Sequence, residues 1–191
     1  YADDAVLVFE DFLDAIRVKE VLPKRFGKYG LHLHPTKTRL IDFRFQRPAG
    51  GRHPATQGTT FDFLGFTHVW GRSRRGKNVV YQRTAKDRYR RSLRAISDYC
   101  HRFRHRPVGE QQARLRRMMT GHYAYSGITG NGRRLRWYTP QVPHIWYRWL
   151  ARRSCSGGVG SLRYVTLLSR YPLPPPRIVH RYAAIGSESV G

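Results

Sequence analysis

Two adjacent carboxylates, Asp3 and Asp4, stand between an aromatic residue and the apolar run Ala5-Val6-Leu7-Val8-Phe9. A run so rich in β-branched residues reads as a short strand buried on both faces. Carboxylates at the mouth of such a strand are costly to bury unpaired, so they need a cation or a water-exposed turn. Mg2+ is the cation that fits, because it prefers hard oxygen ligands and is often held by one or two carboxylates together with substrate phosphates. Taken alone, Tyr1-Ala2-Asp3-Asp4 reads first as an ordinary Asp-containing turn. Only the segments that follow raise metal chemistry above that reading.

Lys37 is the second chemical candidate. It lies in Gly30-Leu31-His32-Leu33-His34-Pro35-Thr36-Lys37-Thr38, where Leu31 and Leu33 alternate and Pro35 bends the chain. Arg39 to Phe43 then reads as a second strand, with Lys37 at its entrance. On composition alone Lys37 is a solvated lysine. The pairs His32/His34 and His101/His105 have no matched partners for zinc, and Cys100 and Cys155 form neither a disulfide framework nor a paired-Cys metal motif.

The charge is less ambiguous. Among 191 residues, 36 Lys and Arg face 12 Asp and Glu, a net charge of +24. Such an excess repels itself unless a polyanion neutralises it, which points to nucleic acid. Aromatic residues make up 13% of the chain, and rings interleaved with basic groups suit RNA or single strands, whose unstacked bases lie on aromatic and guanidinium planes. No apolar run approaches the roughly 20 residues of a membrane span, so no membrane partner is expected.

The elements that must position these groups follow from periodicity. Asp11 and Asp14 resemble a helix cap and an acidic first turn. Phe12, Ile16, Leu22 and Phe26 continue a helix expected to cover the first strand, to kink or restart at Pro23 and to stop at Gly27 or Gly30. Residues 44–57 read as a loop. Phe61-Asp62-Phe63-Leu64-Gly65-Phe66 reads as one strand buried on both faces, with Gly65 permitting close backbone approach. His68-Val69-Trp70 and Val79-Val80-Tyr81 flank a basic hairpin tip that includes Arg74 and Arg75, placed to touch phosphates. Thr84 is expected to cap a helix with Tyr89, Leu93, Ile96, Cys100 and Phe103 on its core face and Arg90 and Arg94 outside. A second helix after Pro107 is traced by Leu115, Met118, His122 and Tyr125 and carries Arg116 and Arg117. Gly127 to Gly132 is a connector. Pro140 and Pro143 forbid one unbroken helix, so the third is expected to start at Pro143 and run to Arg152. A short helix after Ser161, a polyproline stretch from Pro172 and an unpatterned end from Ala183 complete the chain.

Taken in order, these stretches resemble group II intron reverse transcriptase/maturases. The Tyr1-Ala2-Asp3-Asp4 box, the Gly-Leu-x-Leu-x-x-x-Lys-Thr segment ending at Thr38, Phe61-x-Phe-Leu-Gly-Phe66, Gly121-His122-Tyr123-Ala124-Tyr125 and Trp146-Tyr147-Arg148 with Arg152-Arg153-Ser154 carry the resemblance. It implies an α+β fold: the C-terminal part of a polymerase palm over residues 1–83, a three-helix thumb or maturase domain over 84–153, and a tail over 154–191. It further implies RNA-directed DNA polymerisation through two Mg2+ ions, with Asp3 and Asp4 as ligands and Lys37 near the leaving pyrophosphate. Phe63, Leu64 and Gly65 would form a primer grip, and Arg74, Arg75, Arg90, Arg94, Arg116 and Arg117 would contact nucleic acid. The partners would be intron RNA and template-primer, in a bacterial cytoplasmic or an organellar ribonucleoprotein. The family's fingers and further catalytic Asp lie upstream of the matching segments, so a chain opening on Tyr1 is expected to be a fragment inactive alone. Two other readings stay open: a non-catalytic RNA-binding or splicing module, and a retron or CRISPR-associated reverse transcriptase, which shares the first box but not the thumb pattern.

Overall fold

The computed structural model describes residues 4–43, 60–73, 76–153 and 161–181. Its first regular element is helix α1, Phe12–Gly27. Asp11 starts it as expected, its carboxylate accepting the backbone N–H of Leu13 at 2.6 Å and of Asp14 at 3.3 Å. Pro23 lies inside the helix without ending it. Closure comes at Gly30, whose φ of +70° lets the Leu31 N–H reach Phe26 O at 3.1 Å and its own N–H reach Gly27 O at 3.1 Å, the paired back-bonds of a glycine-closed helix end.

Both strands expected around α1 are absent. Ala5 to Phe9 has no strand pairing, and Val6, Leu7 and Val8 are 46%, 56% and 89% exposed. Arg39 to Phe43 is likewise irregular. A strand exists only through the ladder it joins, and the described sheet contains neither segment. α1 therefore covers no strand from Ala5 to Phe9, and Phe12, Leu13 and Val21 stay exposed.

The sheet has three strands in the order β1 (Phe61–Phe63), β2 (Phe66–Arg72) and β3 (Asn78–Thr84). Phe61 to Phe66 is thus a two-residue hairpin and not one strand. Leu64 and Gly65 have φ of 47° and 73°, the double positive-φ signature of the tight turn whose twist matches paired strands. Gly65 is closely approached, though by a side chain and not by another backbone, since a Cβ there would lie 2.6 Å from Arg88 Cδ. The second hairpin forms as expected, its tip closed by Ser73 N–H to Lys77 O at 2.8 Å and Lys77 N–H to Ser73 Oγ at 3.1 Å.

The chain divides into two compact units, Tyr1–Leu64 with Val69–Val79, and Gly65–His68 with Val80–Gly191. In the first, Phe43 packs edge-on to Phe61 at 4.9 Å and stacks on Trp70 at 5.6 Å. Its carbonyl accepts the Trp70 indole N–H at 2.6 Å, so side chains hold this segment where no ladder does.

The second unit holds helices α2 (Lys86–Arg102), α3 (Val108–Ser126), α4 (Gly132–Ala151) and α5 (Ser161–Arg170). Ile96 and Cys100 of α2, Leu115, Met119 and Tyr123 of α3, and Leu135, Tyr138, Val142 and Trp146 of α4 are buried together. The buried face of α3 runs Gln111, Leu115, Met119, Tyr123 and Ser126, one step off the expected Leu115, Met118, His122 and Tyr125. Its two polar members, invisible to a count of apolar residues, set the register.

Two further expectations are corrected. Thr84 does not cap α2, whose N-cap is Ala85. Instead Thr84 is buried and bound to Asn131, whose Oδ1 accepts the Thr84 N–H at 3.0 Å while its Nδ2 donates to Thr84 Oγ1 and to Ser126 O, both at 2.7 Å. Nor do Pro140 and Pro143 divide the third helix, because both lie inside α4. A proline in a helix interior costs about 3 kcal/mol, a penalty offset by burying Leu135, Tyr138, Val142, Ile145 and Trp146 on the same helix. The polyproline stretch is packed rather than free. Gln112 Nε2 donates to Pro172 O at 2.7 Å, Tyr123 donates to Pro174 O at 3.3 Å, and His180 bridges in parallel to Ile128.

Candidate nucleic-acid interface

The outward faces of α2 and α3 are arginine faces because their inward faces are fully committed to the core. Arg90 and Arg94 follow Tyr89 and Leu93 by one residue on α2, and Arg116 and Arg117 follow the buried Leu115 on α3; all four are exposed. Asp87 and Asp98 share the outer side of α2, so its positive field is diluted there but not cancelled.

Aromatic residues of the same unit meet other arginines in two distinct ways. Trp137, on the face of α4 opposite its core residues, is 50% exposed. The Arg133 and Arg134 guanidinium groups lie 4.9 and 5.8 Å from its ring centre. A half-open indole flanked by cations is a platform on which a base can stack while its phosphate is neutralised. Tyr125 differs. Its ring stacks on Phe66 at 5.3 Å and lies under Arg88 at 3.8 Å, which leaves it less face to offer a base. This stack clips Gly65 and Phe66, where the turn enters β2, to α2 and α3, since Arg88 also covers Gly65. Trp137 is not marked as a site by the sequence, although Arg133, Arg134 and Arg136 beside a Trp is a readable signal, whereas Arg88, expected on the outward basic face of α2, is instead half-buried over Tyr125 and Gly65.

Behind the arginine faces lies a polar cluster. Ser92 Oγ bonds Tyr138 Oη at 3.0 Å and His122 Nδ1 at 3.3 Å, and the His122 ring stacks on Tyr138 at 3.9 Å. Burial, helped by the nearby Arg88 cation, pushes His122 down to about 4, so the imidazole is neutral at pH 7. Burial pushes Tyr138 up to about 12 against its Ser92 hydrogen bond, and Cys100 likewise to about 12. The cluster is therefore uncharged, and Cys100 is an inert core thiol.

Asp3, Arg74 and Arg75 fall outside the described residues. Asp4 is exposed on the segment before α1, and Lys37 is exposed in a turn after it, closed by Thr38 N–H to His34 O at 3.0 Å. Among the described residues no three His, Cys, Asp or Glu side chains group as metal ligands would. Phe63 ends β1, Leu64 and Gly65 form the turn, and their backbone conformation is explained by the hairpin alone. No helix among the described residues is long and apolar enough to cross a membrane. Compared with models of known families, with curated proteins and with solved structures, the chain finds no match.

Proposed function

We propose that this chain binds structured RNA through the helices of its second unit, as the thumb or maturase part of a group II intron reverse transcriptase/maturase would hold intron RNA and template-primer. One observation carries the reading: exposed arginines on α2 and α3 belong to the same unit as a half-exposed indole, Trp137, that has two guanidinium groups within 6 Å of its ring centre. Arginines supply phosphate contacts, which set affinity, and the indole supplies stacking, which charge alone does not. In the same reading Asp3 and Asp4 hold Mg2+ and Lys37 serves the leaving pyrophosphate in nucleotidyl transfer.

The test is equilibrium binding of a structured RNA to the whole chain and to Trp137→Ala. Stacking of one base is worth about 1–3 kcal/mol by alanine substitution, so the variant should bind roughly tenfold more weakly with an unchanged fold. Equal affinity would remove the stacking platform, and no binding by wild type at low salt would end the proposal.

A non-catalytic RNA-binding module is the second reading. It is favoured by the fact that the arginine and indole surface lies wholly in the second unit, whereas Asp4 and Lys37 lie in the first. Asp4→Ala and Lys37→Ala should leave RNA affinity within about twofold, since surface substitutions away from the binding face act only weakly. Nucleotide incorporation on a primed template then separates the two readings.

A further inference from the structure

A groove of about 390 Å³ opens between the C-terminal end of α2 and the first half of α3, lined by Tyr99, Phe103, Arg106, Glu110, Arg114 and Arg117. Its size lies at the lower end of the roughly 300–1,000 Å³ typical of small-ligand sites. The chemistry of its walls is uneven in an informative way. Tyr99 and Phe103 form one wall, their rings 5.1 Å apart and tilted by 42°. Both are partly exposed. Guanidinium groups of Arg102 and Arg106 lie 5.5 and 5.8 Å from the Phe103 ring centre.

The rest of the lining is largely cationic. Arg106 is engaged by Glu110 at 3.4 Å, while Arg114 and Arg117 are exposed along α3. Counting Arg106, Arg114 and Arg117 against Glu110, the lining keeps a net positive charge. Burial raises the Tyr99 phenol, aided by Cys100 and Glu110 and opposed by Arg114 and Arg106, so a neutral hydroxyl faces the cations and can donate a hydrogen bond.

Aromatic rings and exposed arginines lining one space of this size match one planar heterocycle with an attached phosphate. Bases left unpaired in RNA are held in this manner, on aromatic rings with arginines at the backbone. We infer that the groove between α2 and α3 receives a single unpaired nucleotide of the bound RNA, with its base against Tyr99 and Phe103 and its phosphate at Arg114 and Arg117. The inference rests on the RNA-binding reading and adds a preference to it: RNA with an extruded base is chosen over a fully paired duplex.

The test uses the whole chain and two RNA hairpins, one carrying a single bulged 2-aminopurine and one fully paired. Ala113 lines the same groove and is exposed on α3. Ala113→Leu therefore fills the groove with a residue of good helix propensity and no change of charge, and Phe103→Leu removes the stacking ring. Wild type should bind the bulged hairpin about tenfold more tightly than the paired one, as one stacked base would provide, and should change the fluorescence of the bulged base. Ala113→Leu and Phe103→Leu should lose that preference and that signal while keeping wild-type affinity for the paired hairpin. Equal affinity of wild type for both hairpins, or a preference surviving in Ala113→Leu, would overturn the inference while leaving RNA binding intact. Failure to bind either hairpin at low salt would overturn both. Saturable binding of AMP without preference for the bulged hairpin would assign the groove to a free mononucleotide and overturn the RNA assignment.

Discussion

Gln111 shows how much one polar side chain organises here. It is fully buried on α3. Its Oε1 accepts the Trp146 indole N–H at 2.9 Å, and its Nε2 donates to the carbonyls of Arg104 and Arg106 at 3.1 and 2.8 Å. Arg153 donates to the same two carbonyls, so the α2–α3 connection is held from inside and outside. Gln111→Leu would strand the indole N–H and weaken the carbonyl contacts. An unsatisfied buried group costs about 1–3 kcal/mol, so urea unfolding should show a loss of roughly 2–3 kcal/mol. A loss below 0.5 kcal/mol, a magnitude typical of surface changes, would mean the network relaxes around the substitution. His122 carries a second prediction at this scale. Its native value of about 4 lies below the ordinary value near 6.5. Above pH 6.5 both folded and unfolded chains hold it neutral and nothing is lost. As pH falls from about 6.5 towards 4, the unfolded chain takes a proton the native chain refuses, and stability declines by an amount on the order of 3 kcal/mol. His122→Gln should flatten that part of the pH profile. An unchanged profile would show that His122 is solvated in the native state.

At the scale of elements, the β1–β2 turn and α4 make opposite predictions about residues that break local rules. Leu64 adopts a φ of 47°, a region that costs a non-glycine residue roughly 1–2 kcal/mol. Leu64→Asn creates the favoured Asn-Gly turn and should add about 1 kcal/mol of stability. If Leu64 grips nucleic acid, as the family resemblance implies, RNA affinity should fall in the same variant; if it is only a turn residue, affinity should hold. Pro140 is exposed within α4, and Pro140→Ala should restore a helix hydrogen bond and stabilise by about 1–3 kcal/mol, read as a rise in melting temperature. These elements also show which parts of the fold are legible in the chain. The core face of α2 is visible because Tyr89, Leu93, Ile96 and Cys100 recur at helical spacing. The β2–β3 hairpin is visible because apolar runs flank a glycine-bracketed tip. Asn131 is not visible: its partner Thr84 lies 47 residues away, and no local pattern marks a residue whose role is to join distant backbone. The strands expected at Ala5 to Phe9 and Arg39 to Phe43 fail for a related reason, since local β-propensity does not provide the neighbouring strand that pairing requires.

For the whole molecule the governing quantity is the net charge of +24. The three-helix core buries apolar groups from α2, α3 and α4 and leaves arginine on the surfaces that remain. Charge was the most legible functional feature of the sequence. The indole platform and the groove at Tyr99 and Phe103 were not, because both depend on which side of a helix faces solvent. The central claim, that arginine faces of the second unit bind RNA phosphates, is tested most directly by the salt dependence of affinity. Each neutralised phosphate contributes a slope of about −0.7 to −0.9 in log K against log salt. Wild-type chain and a variant carrying Arg90→Gln, Arg94→Gln, Arg116→Gln and Arg117→Gln should be titrated against one structured RNA. The account predicts a steep wild-type slope that becomes shallower by roughly three units in the variant. A slope near zero for wild type, or equal slopes for the two chains, would contradict it.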